Sequence, residues 1–321
     1  MSKALKVRLI IAISLIIIGG LIFTGTMYML DWDFRKLNTT KSETIRYEIT
    51  EEFTDINIKS DTADIKFKPS TDGKTTVVCE EEANEKYEVK VENGKLSIKL
   101  IDTKKWYDRI GFSFNEFSVT VNLPAKDYQN LVIQGSTGDI EIAEGCKFVD
   151  VDIKISTGCV KFNADASGEV SLKTSTGDIS AENISPNLLE VSATTGNTML
   201  KRIACAGDIK LKASTGDATL TDISCRNLVT VADTGDLKMK QVVATERLEI
   251  ETDSGDVKFE SCDAAEIDIE TDTGCVKGSL LSEKVFIVET DTGSIDVPKS
   301  IVGGRCEIST DTGDIKISIK Q

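Results

Sequence analysis

The chain has 321 residues, 40% hydrophobic but only 6% aromatic, so its core is built mainly from aliphatic side chains and it is neither disordered nor collagen-like. It contains no His, which excludes imidazole acid–base catalysis, Ser–His and Cys–His nucleophile pairs and imidazole-dependent metal sites. With 53 acids against 38 bases the formal charge is −15, a balance that repels phosphate backbones and argues against a nucleic-acid partner.

Leu9 to Leu30 contains no charge and, as a helix, spans the ~30 Å hydrocarbon core of a bilayer. Lys3, Lys6 and Arg8 precede it and Asp31 and Asp33 follow. The positive-inside rule therefore places residues 1–8 in the cytoplasm, 9–30 in the membrane and the rest outside. A cleaved signal peptide wants a shorter apolar run and a small-x-small site, which Thr26-Met27-Tyr28-Met29-Leu30 does not offer, so an uncleaved anchor is expected. No Cys follows the run, and a lipoprotein anchor is not supported. Residues 31–44 read as a polar linker.

Residues 45–130 are less regular. Asp61-Thr62-Ala63-Asp64 resembles a degenerate copy of the repeat described next, with Ala63 in the glycine place. Tyr87, Val89 and Val91 alternate up to Asn93-Gly94, and Leu96, Ile98 and Leu100 follow, which is a hairpin signal. Trp106, Phe112, Phe114 and Phe117 add aromatics, and Val119, Val121 and Leu123 run to Pro124. This region is expected to cap the open end of a stack.

From residue 131 to 321 a small-polar, Thr/Ser, Gly triplet recurs at Gly138, Gly158, Gly177, Gly196, Gly216, Gly235, Gly255, Gly274, Gly293 and Gly313, always 19 or 20 residues apart. With each Gly as zero, apolar or Thr residues fall at −7, −5, −3 and −1, then at +2 and +4, with polar residues between, so the units are strands bent at the glycine. Units this short enclose no core alone. Consecutive units must stack with equivalent strands paired in parallel, giving an all-β parallel β-solenoid, wound right-handed by the crossover preference, of about ten 19–20-residue coils. Thr271, Thr273, Thr290, Thr292, Thr310 and Thr312 are expected to form inward hydroxyl rows. Asp or Asn after the Gly suits the turn.

The DTG/DSG triplets at Asp233, Asp253, Asp272, Asp291 and Asp311 match the aspartic-protease motif, yet they recur because the repeat recurs and occupy an outward position. Parallel β-helix polysaccharide lyases carry their chemistry on long loops, for which coils of at most 20 residues leave no room. Residues 246–321 hold 18 acids against 8 bases. Their outward positions are acidic except at Ile287 and Ser309, whereas earlier coils place Lys154, Lys173 and Lys212 at −4. Stacked carboxylates of Glu251, Asp253, Glu270, Asp272, Glu289 and Asp291 would form a face able to hold Ca²⁺ weakly, and this is the only metal expected. The competing reading is a solvated acidic face. The eight cysteines form no CxxC pair and read as small buried hydrophobes. Cys205 and Cys225, at equivalent positions of adjacent coils, are expected to be free thiols.

The single anchor, the DTAD coil, the segment VTVNLPAKDYQNLVIQGSTGDI and the tandem STGDI-type coils together resemble the bacterial putative-adhesin family of β-strand-repeat proteins, which includes LiaG-like envelope proteins. The resemblance covers roughly residues 45–321. It implies an extracytoplasmic protein of a mainly Gram-positive bacterium with no enzymatic activity and no catalytic residue to carry over. Cys after Gly158 and Gly274, where the pattern has Asp, departs from it. The expected function is non-enzymatic binding or scaffolding at the cell envelope, with the membrane and an envelope protein or polymer as partners. A regulatory or sensory part in an envelope-stress response, and a polysaccharide-acting enzyme, are the rivals.

Overall fold

The computed structural model describes residues 3–33, 42–82, 85–103 and 117–320. Trp106, Phe112 and Phe114, and most of the expected linker, lie outside them. The chain divides into two compact units, residues 1–43 with 81–86 and 102–116, and residues 44–80 with 87–101 and 117–321.

The first unit contains the helix Lys3–Met29, whose stretch Lys6–Met29 is long and apolar enough to cross a membrane. The hydroxyls of Thr24 and Thr26 donate back to the carbonyls of Gly20 and Ile22 (both 2.8 Å), so these polar groups demand nothing from an apolar surrounding. Asp31 and Trp32 at positive φ end the helix, and the Trp32 N–H donates to the Met27 carbonyl at 2.8 Å.

The second unit is a parallel β-solenoid whose coils stack in strict register. Leu189 pairs with Val170 in the coil before and with Ile209 in the coil after, and the other inward columns continue in this way. Positions −7, −5 and −3 line the core from one strand and +2 and +4 from the next, as in Leu248, Ile250, Thr252, Val257 and Phe259. A second bend follows at +6, where Asn183, Arg202, Asp222, Gln241 and Ser261 all take positive φ without being glycine. That bend resets the alternation, so +7 and +9 point inward: Ile203 and Cys205, Ile223 and Cys225, Val242 and Ala244. The sequence pattern had not revealed this corner.

The first corner differs from expectation in one respect. The residues at −1 are exposed, Thr273, Thr292 and Thr312 among them, because the strand leaves the wall after −3 and the corner occupies −2 to +1. Only Thr271, Thr290 and Thr310 face inward. Their hydroxyls do not bond to one another: Thr310 donates to the Gly274 carbonyl (3.2 Å) and Thr290 to that of Gly313 (3.1 Å), while the Thr271 hydroxyl has no partner among the described residues.

Glycine is required at this corner by contact more than by dihedral angle. At Gly196 (φ +137) a Cβ would overlap the Gly177 carbonyl, and the same overlap with the preceding glycine carbonyl recurs from coil to coil. Gly274 does not have a strongly left-handed φ, yet its Cβ would still collide with the Gly255 carbonyl.

Stack order departs from chain order at both ends. Asp55–Thr62 and Asp64–Pro69, the DTAD coil, pair on one side with the Gly138 coil and on the other with Lys95–Asp102 and Ser118–Leu123, so the expected cap is largely a further parallel coil. Asn93 and Gly94, both at positive φ, make the two-residue turn that leads into it. Thr75–Glu82 runs antiparallel to Ser118–Leu123, with Val77 opposite Val121, and breaks the parallel ladder. At the other end the Gly313 coil lies between the Gly274 and Gly293 coils, with Ile267 paired to Cys306 and Phe286 to Cys306. Consecutive stacking is thus corrected here. The order is favoured by charge, since it sets Arg305 beside Glu266 (3.4 Å), and by Lys284, buried on Asp263 (2.6 Å) and Ser282 (2.6 Å), which fastens the outer coil.

Gly196→Ala is expected to lower stability by roughly 2–4 kcal/mol, from backbone strain and the carbonyl clash. Gly135→Ala, whose Cβ would sit 3.5 Å from Ile155 Cγ1 at an ordinary contact, should change it by less than about 1 kcal/mol. Denaturant midpoints of the two variants decide the point.

Candidate functional site

Side chains at one sequence position become a column on the solenoid, so the surface is a set of ladders. The residue after each glycine forms the most regular one. Asp139 Oδ1 accepts the Cys159 N–H (2.8 Å), Asp178 that of Asn197 (2.7 Å), Asn197 that of Asp217 (2.9 Å), Asp217 that of Asp236 (3.0 Å), and Asp256 that of Cys275 (3.0 Å). Asp at +1 is therefore an inter-coil fastener, a role more specific than turn preference. Cys159 and Cys275 occupy the column without supplying an acceptor carboxylate.

Three acids of this column have a lowered pKa. Asp217 is held below the ordinary 3.8 chiefly by the Asp236 N–H, Asp256 first by the Lys258 ammonium and then by the Cys275 N–H, and Asp314 by the Ser294 N–H and hydroxyl. Asp208 is lowered by Arg226, which grips both of its oxygens at 3.0 and 3.1 Å. These shifts are opposite to the one a general acid requires. Burial pushes four thiols upward, Cys225 and Cys306 to about 12 and Cys146 and Cys262 to about 11, all by desolvation, which makes them poor nucleophiles. Cys205 and Cys225 are both buried, free thiols.

The expected acidic face is exposed, but its columns are not continuous. Glu251 is the register partner of Glu270, whereas Ser309 stands between Glu270 and Glu289 because of the altered stack order. Asp253, Asp272 and Asp291 lie at the exposed corner, with Asp311 between the last two. Among the described residues no group of three or more Cys, Asp or Glu side chains converges as a metal ion would need.

Two further ladders were hidden in the sequence. At −8 and −6, Arg247 bonds Asp268 (3.0 Å) and lies 3.4 Å from Glu249, and Arg305 pairs with Glu266 and Glu307, so arginines neutralise this part of the face. At +3, Lys238, Lys258, Lys277 and Lys316 are consecutive register partners. Lys238 reaches Asp217 (3.3 Å) and Asp236 (3.6 Å), and Lys258 reaches Asp256 (2.8 Å). They line a shallow groove of about 350 Å³ with Thr219, Thr221 and Glu260. Counting each residue from its own glycine, with the stack order in hand, would have found them.

The −4 row carries a net trend along the stack. In spatial order it reads Gln134, Lys154, Lys173, Ser192, Lys212, Val231, Glu251, Glu270, Ser309 and Glu289. One long strip thus changes from basic to acidic.

The lowered carboxylates stabilise the fold fully above the unfolded value near 3.8, and this contribution is lost as pH falls through their lower folded values. The triple variant Asp217→Asn, Asp256→Asn, Asp314→Asn keeps the acceptor oxygens and removes the titration. Its melting temperature should fall less steeply than that of the wild type between about pH 5 and pH 2. Equal slopes would assign acid sensitivity to other groups.

The family model described as Toastrack DUF4097 matches residues 53–212 and 204–321. No curated protein matches the chain. Among solved structures, the chain is similar to a "putative adhesin" of Bacteroides fragilis NCTC 9343, with 16% identity over 87% of this chain and 97% of that one and a TM-score of 0.41. It is also similar to a "putative lipid binding protein" of Parabacteroides distasonis ATCC 8503, with 14% identity, coverage of 88% and 98% and a TM-score of 0.35. A "putative adhesin" of Parabacteroides merdae ATCC 43184 has 12% identity, coverage of 88% and 98% and a TM-score of 0.28.

Proposed function

The chain belongs to the Toastrack family DUF4097, and we propose that it is a membrane-anchored extracytoplasmic scaffold that binds an extended envelope protein or polymer along its solenoid. The observation that carries this reading is the −4 strip, which runs from Lys154, Lys173 and Lys212 to Glu251, Glu270 and Glu289 through strands paired in parallel from coil to coil. An extended ligand of complementary charge order gains small contributions from many coils at once, which needs no pocket. The uncharged run 9–30, with Lys6 and Arg8 before it and Asp31 and Asp33 after it, supports an anchor with the solenoid outside.

Crosslinking in membranes followed by capture of the full chain tests the strip. The wild type should retain a partner that Lys154→Glu, Lys173→Glu, Lys212→Glu loses while its melting temperature is kept, and unchanged capture would refute the reading. For the anchor, the mature membrane-bound chain should begin before residue 25 by amino-terminal sequencing.

The acidic end is also proposed to meet cations. Glu251 and Glu270, with Asp253 and Asp272 beside them, would bridge Ca²⁺ with water completing its shell, and Glu289 and Asp291 would add a separate weak contact beyond Ser309. Affinity should be no better than ~0.1–1 mM, as in open extracellular modules. Ca²⁺ should then raise the melting temperature more than Na⁺ of matched ionic strength, and Glu251→Gln, Glu270→Gln, Glu289→Gln should abolish the difference. Equal shifts in the wild type would leave only a solvated face.

A further inference from the structure

The Gly293 coil ends the stack, and its strand Lys284–Thr292 has register partners only in Gly304–Thr312 among the described residues. The backbone groups on its other side form an open edge, the arrangement that invites another strand. Among the described residues, six of the nine large apolar side chains exposed on the solenoid unit lie within residues 281–302: Leu281, Val285, Ile287, Ile295, Ile301 and Val302, the last two at 93% and 56% exposure. The core positions Phe286 and Val288 are only half-covered.

In the −8 and −6 columns the charges are lost at this edge and at no other of the last four coils. The −8 column reads Arg247, Glu266, Arg305 and then Val285, and the −6 column reads Glu249, Asp268, Glu307 and then Ile287. Edges that stay solvent-facing are blunted by charge, usually Lys. Here the one Lys of the strand, Lys284, is buried on Asp263, and the outward charges have been replaced by apolar groups.

We infer that this end is an interface with a second copy of the chain, formed by antiparallel, two-fold pairing of Lys284–Thr292 with itself. The order of charged and apolar groups along the strand is what selects a second copy as its cover. A two-fold axis at Val288 sets Val288 on the partner's Val288 and Phe286 on the partner's Thr290. It sets Ile287 against the partner's Glu289 and Val285 against the partner's Asp291. No carboxylate then faces a carboxylate directly, which the intact charge columns of the inner coils would not permit across such an axis. A lipid surface fits the end less well. Its rim holds Glu283, Glu289, Asp291 and Asp296 against Lys299 alone, with no Trp, Tyr or Arg between 281 and 302, whereas membrane-surface faces are basic and aromatic.

The test uses the full chain in detergent micelles, with mass from sedimentation and amide exchange at two concentrations. Protein mass should double between ~1 and ~100 µM, the range for a small interface, and residues 284–292 should exchange more slowly at the higher concentration. Val285→Lys, Ile287→Lys should abolish both changes. Val285→Thr, Ile287→Thr, which keeps β-branched shapes suited to a strand, should weaken dimerisation at least ~10-fold with the melting temperature held. A monomer at every concentration overturns the inference, as does a dimer that survives both variants, which would place association elsewhere, the apolar helix included. Protection of 284–292 that appears only on adding phosphatidylcholine vesicles, without a change in protein mass, overturns it in favour of lipid.

Discussion

The contact on which the structure depends is the approach of each corner glycine to the carbonyl of the glycine in the neighbouring coil. A Cβ there would overlap that carbonyl at Gly158, Gly177, Gly196 and onward through the stack, whatever the local φ. The contact fixes the vertical spacing at the corner, and the strands on either side inherit it as in-register parallel pairing. It also explains why coil length is held to 19 or 20 residues, since the next corner must return to the same column. Variation is confined to the side of the coil beyond +6, where Asn183, Arg202, Asp222, Gln241 and Ser261 share one backbone state with unrelated side chains.

Register has an electrostatic cost, because it places like residues one strand spacing apart, where equal charges repel by ~1 kcal/mol even in water-like surroundings. Different columns resolve it differently. At +1 the carboxylates lie along the stack and accept backbone N–H groups of the next coil, and the +3 lysines stand beside them, as Lys238 does between Asp217 and Asp236. At −8 the signs alternate through Arg247, Glu266 and Arg305. The −4 and −2 positions of the C-terminal coils have no such internal solution, with Glu251 directly on Glu270. That is the part of the surface whose charge folding does not use.

The solenoid was legible because its causes are local and repeated: a period-two pattern, a glycine, a constant spacing. The corner was misread by one step at −1, since a Thr that alternates correctly with its neighbours looks inward until the bend is known to begin at −2. The +6 corner was illegible because a left-handed residue there need not be glycine. The exchange of the Gly293 and Gly313 coils was hidden for a related reason, as both match the same pattern and nothing local says which lies outside. What distinguishes them is the pairing of Arg305 with Glu266, neighbours in one column but 39 residues apart in sequence, and of Lys284 with Asp263. The candidate acidic residues were found individually, but their neighbours were not, and Ser309 between Glu270 and Glu289 follows from the exchange alone.

In a stack whose coils meet only their neighbours, a residue that follows the column rule is explained by the column, and departures from it need another cause. Asp at +1, Thr at −3 and Lys at +3 are of the first kind. Cys159 and Cys275 depart within the +1 column, and each leaves the following coil without the carboxylate that its neighbours use. Val285 and Ile287 depart together, at the coil that ends the stack, and they do so in the two columns where every other of the last four coils is charged. An isolated apolar residue such as Met199, exposed in mid-stack, has no such company. Coincidence of two broken columns with an open backbone edge separates a surface shaped by what covers it from one that merely tolerates substitution.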